Sequence, residues 1–192
     1  MTQISIFPKL VAGTFSSPAK LWQNEIENNK NSSIEEFLLR KVLSFYTVVF
    51  FLYYFTKTIF NHKSYLNLDN FMLLISIFYI SSLFYLFLNS AVFHFLVRTA
   101  NKKIDFKTSL QTIFYISIPI NLSLTLKNIP SIGNYLLFIF YIYSLYLLWK
   151  AIDIFLDIKV LKKKLRIFIF YILIINIIYF CVMYLILKTT QG

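Results

Sequence analysis

The chain has 192 residues, 58% of them hydrophobic, 20% aromatic and only 14% charged, with a formal net charge of +11. A soluble domain is nearer ~25% charged, and a soluble fold of this length has no interior large enough for so much apolar surface, whereas a bilayer hides it. Three glycines, one cysteine (Cys181) and two histidines (His62 and His94) exclude glycine-rich phosphate loops, GxxxG helix pairing, an intrachain disulfide and a cysteine zinc cluster.

Residues 1–41 read as a cytoplasmic amphipathic segment. The opening "MTQISIFPKLVAGTF" is not a signal peptide, because Pro8 and Lys9 interrupt its apolar run. A helix is expected from Ser17, as cap, and Pro18, at the first helical position. Phe15, Leu21, Trp22 and Ile26 would then lie at headgroup level, with Lys20, Glu25 and Glu27 toward water. A second start, Ser33 with Glu36, has the capping-box pattern and leads without a break into the first span. Asn31 heads an N-x-S triplet, but on the cytoplasmic side it is no glycosylation acceptor.

Residues 42–192 form the membrane domain. A helix rising 1.5 Å per residue needs about 20 apolar residues to cross the hydrocarbon core, and charged residues cut the chain into pieces of that length. The predicted spans are 42–60, 70–97, 108–128, 131–150 and 167–187. None alternates apolar and polar as a barrel strand does. The fold class is therefore all-α, a polytopic bundle of five transmembrane helices.

Basic residues collect on one side. The tail holds Lys9, Lys20, Lys30, Arg40 and Lys41. The loop after span two holds Arg98, Lys102, Lys103 and Lys107, and the loop after span four runs from Lys150 to Arg166 with six. The other side has only Lys57, Lys63, Lys127 and Lys188. Cytoplasmic loops are the basic ones, so the amino terminus is expected in the cytoplasm and the carboxyl terminus outside. Heavy use of Ile, Asn, Lys and Phe suggests an AT-rich bacterial genome and hence the inner membrane. The charge is topological: anionic headgroups are the expected partners of the loops, and nucleic acid is not.

Few residues carry chemistry. Serines in the spans lack a neighbouring base or a glycine-rich turn, so no nucleophile is expected. Neither a catalytic residue, a metal site nor a cofactor is predicted. Asp153 and Asp157 lie four apart on one face, which reads as an amphipathic continuation of span four with Lys150 and Asp153 as neighbours. His94, near the end of span two, is an ionisable group within a span and so a candidate position. In span three, Ser117, Asn121 and Thr125 recur every fourth residue as one polar stripe. Pro119 removes a backbone donor in the middle of that stripe, so a kink is expected near Tyr115. The stripe must then face protein. Pro130 and Gly133 end the span in a tight turn, making spans three and four a hairpin.

Residues 93–152 resemble the membrane core of the Yip-one domain family, the Ypt/Rab-interacting protein superfamily. The matching positions are His94 with Arg98, Phe106 with Ser109, Tyr115 with Pro119, and the turn Ile129, Pro130, Ile132, Gly133. "SSPAKLW" is similar to an entry motif of bacterial members. The resemblance implies a membrane-embedded, oligomer-forming protein that is not an enzyme and organises, scaffolds or traffics membrane. Eukaryotic members work with small GTPases, but their acidic motif before the first span is absent here, so GTPase binding is not carried over. Two other readings follow from the residues. One is a small-solute or ion permease component using Ser117, Asn121 and Thr125 with His94. The other is a headgroup enzyme needing Asp153, Asp157 and His94 together. Other membrane proteins or a second copy of the chain are the remaining expected partners.

Overall fold

The computed structural model describes residues 6–29, 32–61, 68–99, 104–154 and 160–191, nearly all of them helical. Two short helices come first, α1 (Ile6–Ser16) and α2 (Pro18–Asn29). Next, α3 (Ile34–Phe37) passes through a π-helical stretch, Leu38–Leu43, into α4 (Ser44–Asn61). The remaining helices are α5 (Leu68–Thr99), α6 (Phe106–Leu126), α7 (Gly133–Ile154) and α8 (Leu161–Gln191). Five stretches are long and apolar enough to cross a bilayer: Ile34–Phe60, Met72–Thr99, Phe106–Leu126, Gly133–Asp153 and Leu161–Cys181. The five-span, all-α architecture expected from charge spacing is the one observed.

Local chemistry sets the helix starts. Pro18 opens α2, where a missing N–H costs nothing. Ser33 Oγ accepts from Glu36 N at 3.1 Å, and the Glu36 carboxylate pairs with Arg40 at 2.9 Å. Asp105 caps α6 by accepting from Thr108 N at 3.1 Å.

Mean hydropathy decides which helix is central. The spans rank 1.2, 1.4, 1.6, 1.9 and 2.0 from α6 through the α3–α4 helix, α7 and α5 to α8, and their buried shares fall in the same order, from 72% to 11%. In water the most apolar element goes inside. In lipid, tails are as apolar as leucine and give apolar helices no reason to associate, so the polar helix takes the centre. Accordingly α4, α5 and α7 pack on α6, and α8 lies across α5 and α7. The outward surface carries large bare side chains such as Phe84, Phe95, Phe138 and Phe180. An exposed apolar surface of this extent fits hydrocarbon and not water.

The amino-terminal helices pack against the spans. Phe7 stacks on Phe45 at 5.7 Å, and Phe15 meets Phe140 and Tyr143 at 5.5 and 5.3 Å. The Tyr143 hydroxyl donates to the Thr14 carbonyl at 2.8 Å. Trp22, expected at headgroup level, is covered by protein, as is Leu10. Gly13 permits the close α1–α2 pairing, since a Cβ there would lie 3.0 Å from the Leu21 side chain. At 1.5 Å per residue, Phe140 is about 20 Å along α7 from Ile154. The hairpin tip therefore reaches the middle of the bundle. Lys9 and Lys20 stay exposed, with stems long enough to return their amines toward the polar layer.

The α6–α7 turn is tightly specified. Ile129 N donates to the Leu126 carbonyl and Gly133 N to the Ile129 carbonyl, both at 3.0 Å. Ser131 takes φ 66°, and Gly133 is enclosed. Helix α6 continues through Pro119, so the proline is carried inside an unbroken helix.

Candidate functional site

The five spans enclose a cavity of about 520 Å³, within the ~300–1,000 Å³ range of small-molecule sites. It runs along α6 from Ile113 to Leu124, with walls from α5, α7 and α8 and Tyr46 from α4. The inner end holds Asn89 and Ser144, each 2% exposed, with the Tyr171 hydroxyl donating to Asn89 Oδ1 at 3.1 Å. Leu124 and Tyr179 are exposed further along, and Tyr85 and Tyr141, within a turn of Asn89 and Ser144, are exposed as well, so the cavity opens sideways between helices.

Among the described residues no charged one lines it. Its polar groups are hydroxyls and amides, and most are already committed. Asn89 Nδ2 donates to the Tyr85 carbonyl at 2.7 Å, Ser81 Oγ to Ile77 at 2.7 Å and Asn176 Nδ2 to Ile172 at 2.7 Å. Ser144 Oγ and Gln111 Nε2 are buried without a hydrogen-bond partner, and of these two only Ser144 lines the cavity.

The candidate positions read from the sequence fall into three groups. Ser117 and Asn121 line the cavity, with Ser117 Oγ donating to the Phe114 carbonyl at 2.8 Å and Asn121 Nδ2 to the Ser117 carbonyl at 2.9 Å. The Tyr46 hydroxyl lies against both side chains. Thr125 belongs to a separate contact, where Thr56 Oγ1 donates to the Thr125 carbonyl at 2.6 Å and Asn128 Nδ2 reaches Thr56 at 3.4 Å. Pro119 is buried in α6, and Pro130 and Gly133 shape the turn.

His94 forms an α5–α6 latch. Its Nδ1 shares a hydrogen bond with Ser109 Oγ at 3.2 Å, and its ring meets the Phe106 ring edge-on at 5.8 Å. Arg98 is exposed one turn further on. The sequence pairs His94 with Arg98 and Phe106 with Ser109 thus sit on facing helices, with three of the four in contact.

Asp153 pairs with Lys164, and not with Lys150 as its spacing suggests. Lys164 is 5% exposed, and its ammonium lies 3.9 Å from the centre of the Trp149 ring. Lys150 instead rests over Tyr146. The reason is geometric: α8 returns antiparallel to α7 and delivers one of its three consecutive lysines between Trp149 and Asp153. Asp153 and His94 have separate partners, and Asp157 and His62 lie outside the described residues. Among the described residues no group of three or more His, Cys, Asp or Glu is placed to hold a metal.

Asn89, Ser144 and Tyr171 are not singled out by the sequence, where a serine within a span reads only as lacking a neighbouring base. Their available signal was polarity within otherwise apolar spans, but no fixed spacing links residues on different helices.

The Yip1 domain profile matches residues 12–184, nearly the whole chain. The chain belongs to the Yip1 domain family. It is accordingly an integral, multi-pass membrane protein, with α1 and α2 largely inside the matched region. No curated protein and no solved structure matches it.

Proposed function

We propose that this Yip1-domain protein is a non-catalytic organiser of membrane, acting through its shape and its lipid contacts. The observation that carries the reading is the α1–α2 hairpin. It packs against α4, α6 and α7 from the end of the bundle that bears the basic loops and reaches only to mid-α7. Seven helices therefore share one half of the bundle's thickness and five cross the other. A larger cross-section in one leaflet favours bending toward the opposite one, and basic loops at the same end hold anionic headgroups there.

In this reading the basic end is cytoplasmic and the membrane is a bacterial inner membrane. The protein acts on lipid directly and at high local density, with copies of itself or other membrane proteins as neighbours. The latches between spans, His94 with Ser109 and Tyr171 with Asn89, hold the shape and perform no chemistry.

Reconstitution into anionic vesicles at rising protein density, imaged by electron cryo-microscopy, tests this. Vesicles should narrow or tubulate with the wild-type chain and less so with Phe15→Ala combined with Tyr143→Phe, which loosens the hairpin tip. Vesicles unchanged at every density, or equal remodelling by the loosened variant, refute it. Orientation is checked in a Cys181→Ser background: a cysteine at 163 should label only from the cytoplasm and one at 131 only from outside.

A further inference from the structure

We infer that the cavity between the spans binds one uncharged lipid, polar head innermost and chain emerging between the helices, with Ser144 as the recognition group. The inference is independent of membrane shaping and rests on the buried, unpaired Ser144 hydroxyl in the wall of a cavity that opens between helices. Phospholipid chains are apolar throughout, and a chain entering tail-first would bury its end against Asn89, Ser144 and Tyr171. A head-first lipid brings its oxygen to the unpaired Ser144 hydroxyl. The chain passes Leu124 and Tyr179 into the bilayer.

Charge restricts the class. With no cation or anion among the described lining residues, an ionised head placed here would lose its hydration without a counter-charge, a cost of several kcal/mol per ion. A neutral hydroxyl or carbonyl pays far less and recovers it through one or two hydrogen bonds. The Ser144 hydroxyl both donates and accepts, is 2% exposed, and has no protein partner. A buried hydroxyl left unpaired costs ~1–3 kcal/mol. The neighbouring Ser117 and Asn121 donors are already bonded within α6, leaving Ser144 as the group a ligand completes.

The test uses the full chain in phosphatidylcholine vesicles with photoreactive long-chain alcohols. One carries a diazirine beside the hydroxyl and another at the chain end, and a hexadecyl sulfate probe serves as the charged counterpart. The head-proximal alcohol should label the segments around Ser144 and Tyr171, and the chain-end probe the rim near Tyr179. Ser144→Ala, which removes the hydroxyl without filling the cavity, should cut head-proximal labelling about tenfold. If that variant does not fold, Leu145→Phe, which fills the wall, should abolish labelling instead. Labelling in the reverse order, equal labelling by the sulfate, labelling indifferent to both variants, or an interior that no probe labels overturns the inference.

Discussion

Replacing Gly133 with alanine is the sharpest test of the α6–α7 hairpin, because two opposing effects can be weighed. At a helix start, Gly→Ala ordinarily stabilises, by at most ~1 kcal/mol. Here an added Cβ would lie 2.3 Å from the Lys127 carbonyl oxygen, 2.7 Å from its carbon and 2.8 Å from the Leu126 oxygen, all below the 3.0 Å that real Cβ contacts respect. The obstacles are backbone atoms, so no rotamer change relieves them. Relief requires opening the turn, which strains the 3.0 Å bonds from Ile129 N to Leu126 and from Gly133 N to Ile129. Each such bond is worth ~1 kcal/mol, and overpacking costs ~1–3 kcal/mol. Sterics win, with a net loss of about 2–3 kcal/mol. For a chain of this length that lowers the melting temperature by about 5–10 °C. The assay is the folded fraction remaining in detergent after graded heating, read by size exclusion. A Gly133→Ala protein that melts with the wild type or above it refutes the steric argument.

The Lys164–Asp153 pair should respond asymmetrically. Lys164 is 5% exposed while the Asp153 side chain is 41% exposed. Asp153→Asn leaves an enclosed ammonium facing only Trp149 and should cost ~1–3 kcal/mol, whereas Lys164→Met frees a carboxylate that water reaches and should cost under ~1 kcal/mol. The reverse order in the same melting assay defeats this reading. His94→Ala and Ser109→Ala should be non-additive, with the double variant no less stable than the worse single one by more than ~0.5 kcal/mol. Full additivity would show that the 3.2 Å contact does not couple α5 to α6. Tyr171→Phe removes the hydroxyl that donates to Asn89 and should cost about 0.6 kcal/mol, the usual worth of an interhelical hydrogen bond in lipid. A loss several times larger would mean that the hydroxyl has a further role in the cavity.

What could be read from the sequence was whatever a single helix or a single turn decides. Charge spacing locates all five spans, because the bilayer's thickness imposes their length. Ser33 and Pro18 mark helix starts through their own backbone chemistry, and the Pro130–Gly133 turn follows from residues adjacent in the chain. Partners were another matter. Asp153 has Lys150 three residues away and Lys164 eleven away, and only the return of α8 decides for Lys164. Trp22 has the amphipathic setting of an interfacial anchor, yet Phe15, Phe140 and Tyr143 draw its hairpin against the bundle. The polar stripe shows the same limit from inside one helix. A four-residue repeat on a helix of 3.6 residues per turn drifts by about 40° per step, so Ser117, Asn121 and Thr125 do not stay on one face. The first two turn to the cavity, while the carbonyl of Thr125 is met by Thr56 on α4. The drift divides the stripe between a latch and a site. Ser144, buried and unpaired, lies on the neighbouring helix, where no repeat within α6 could reveal it.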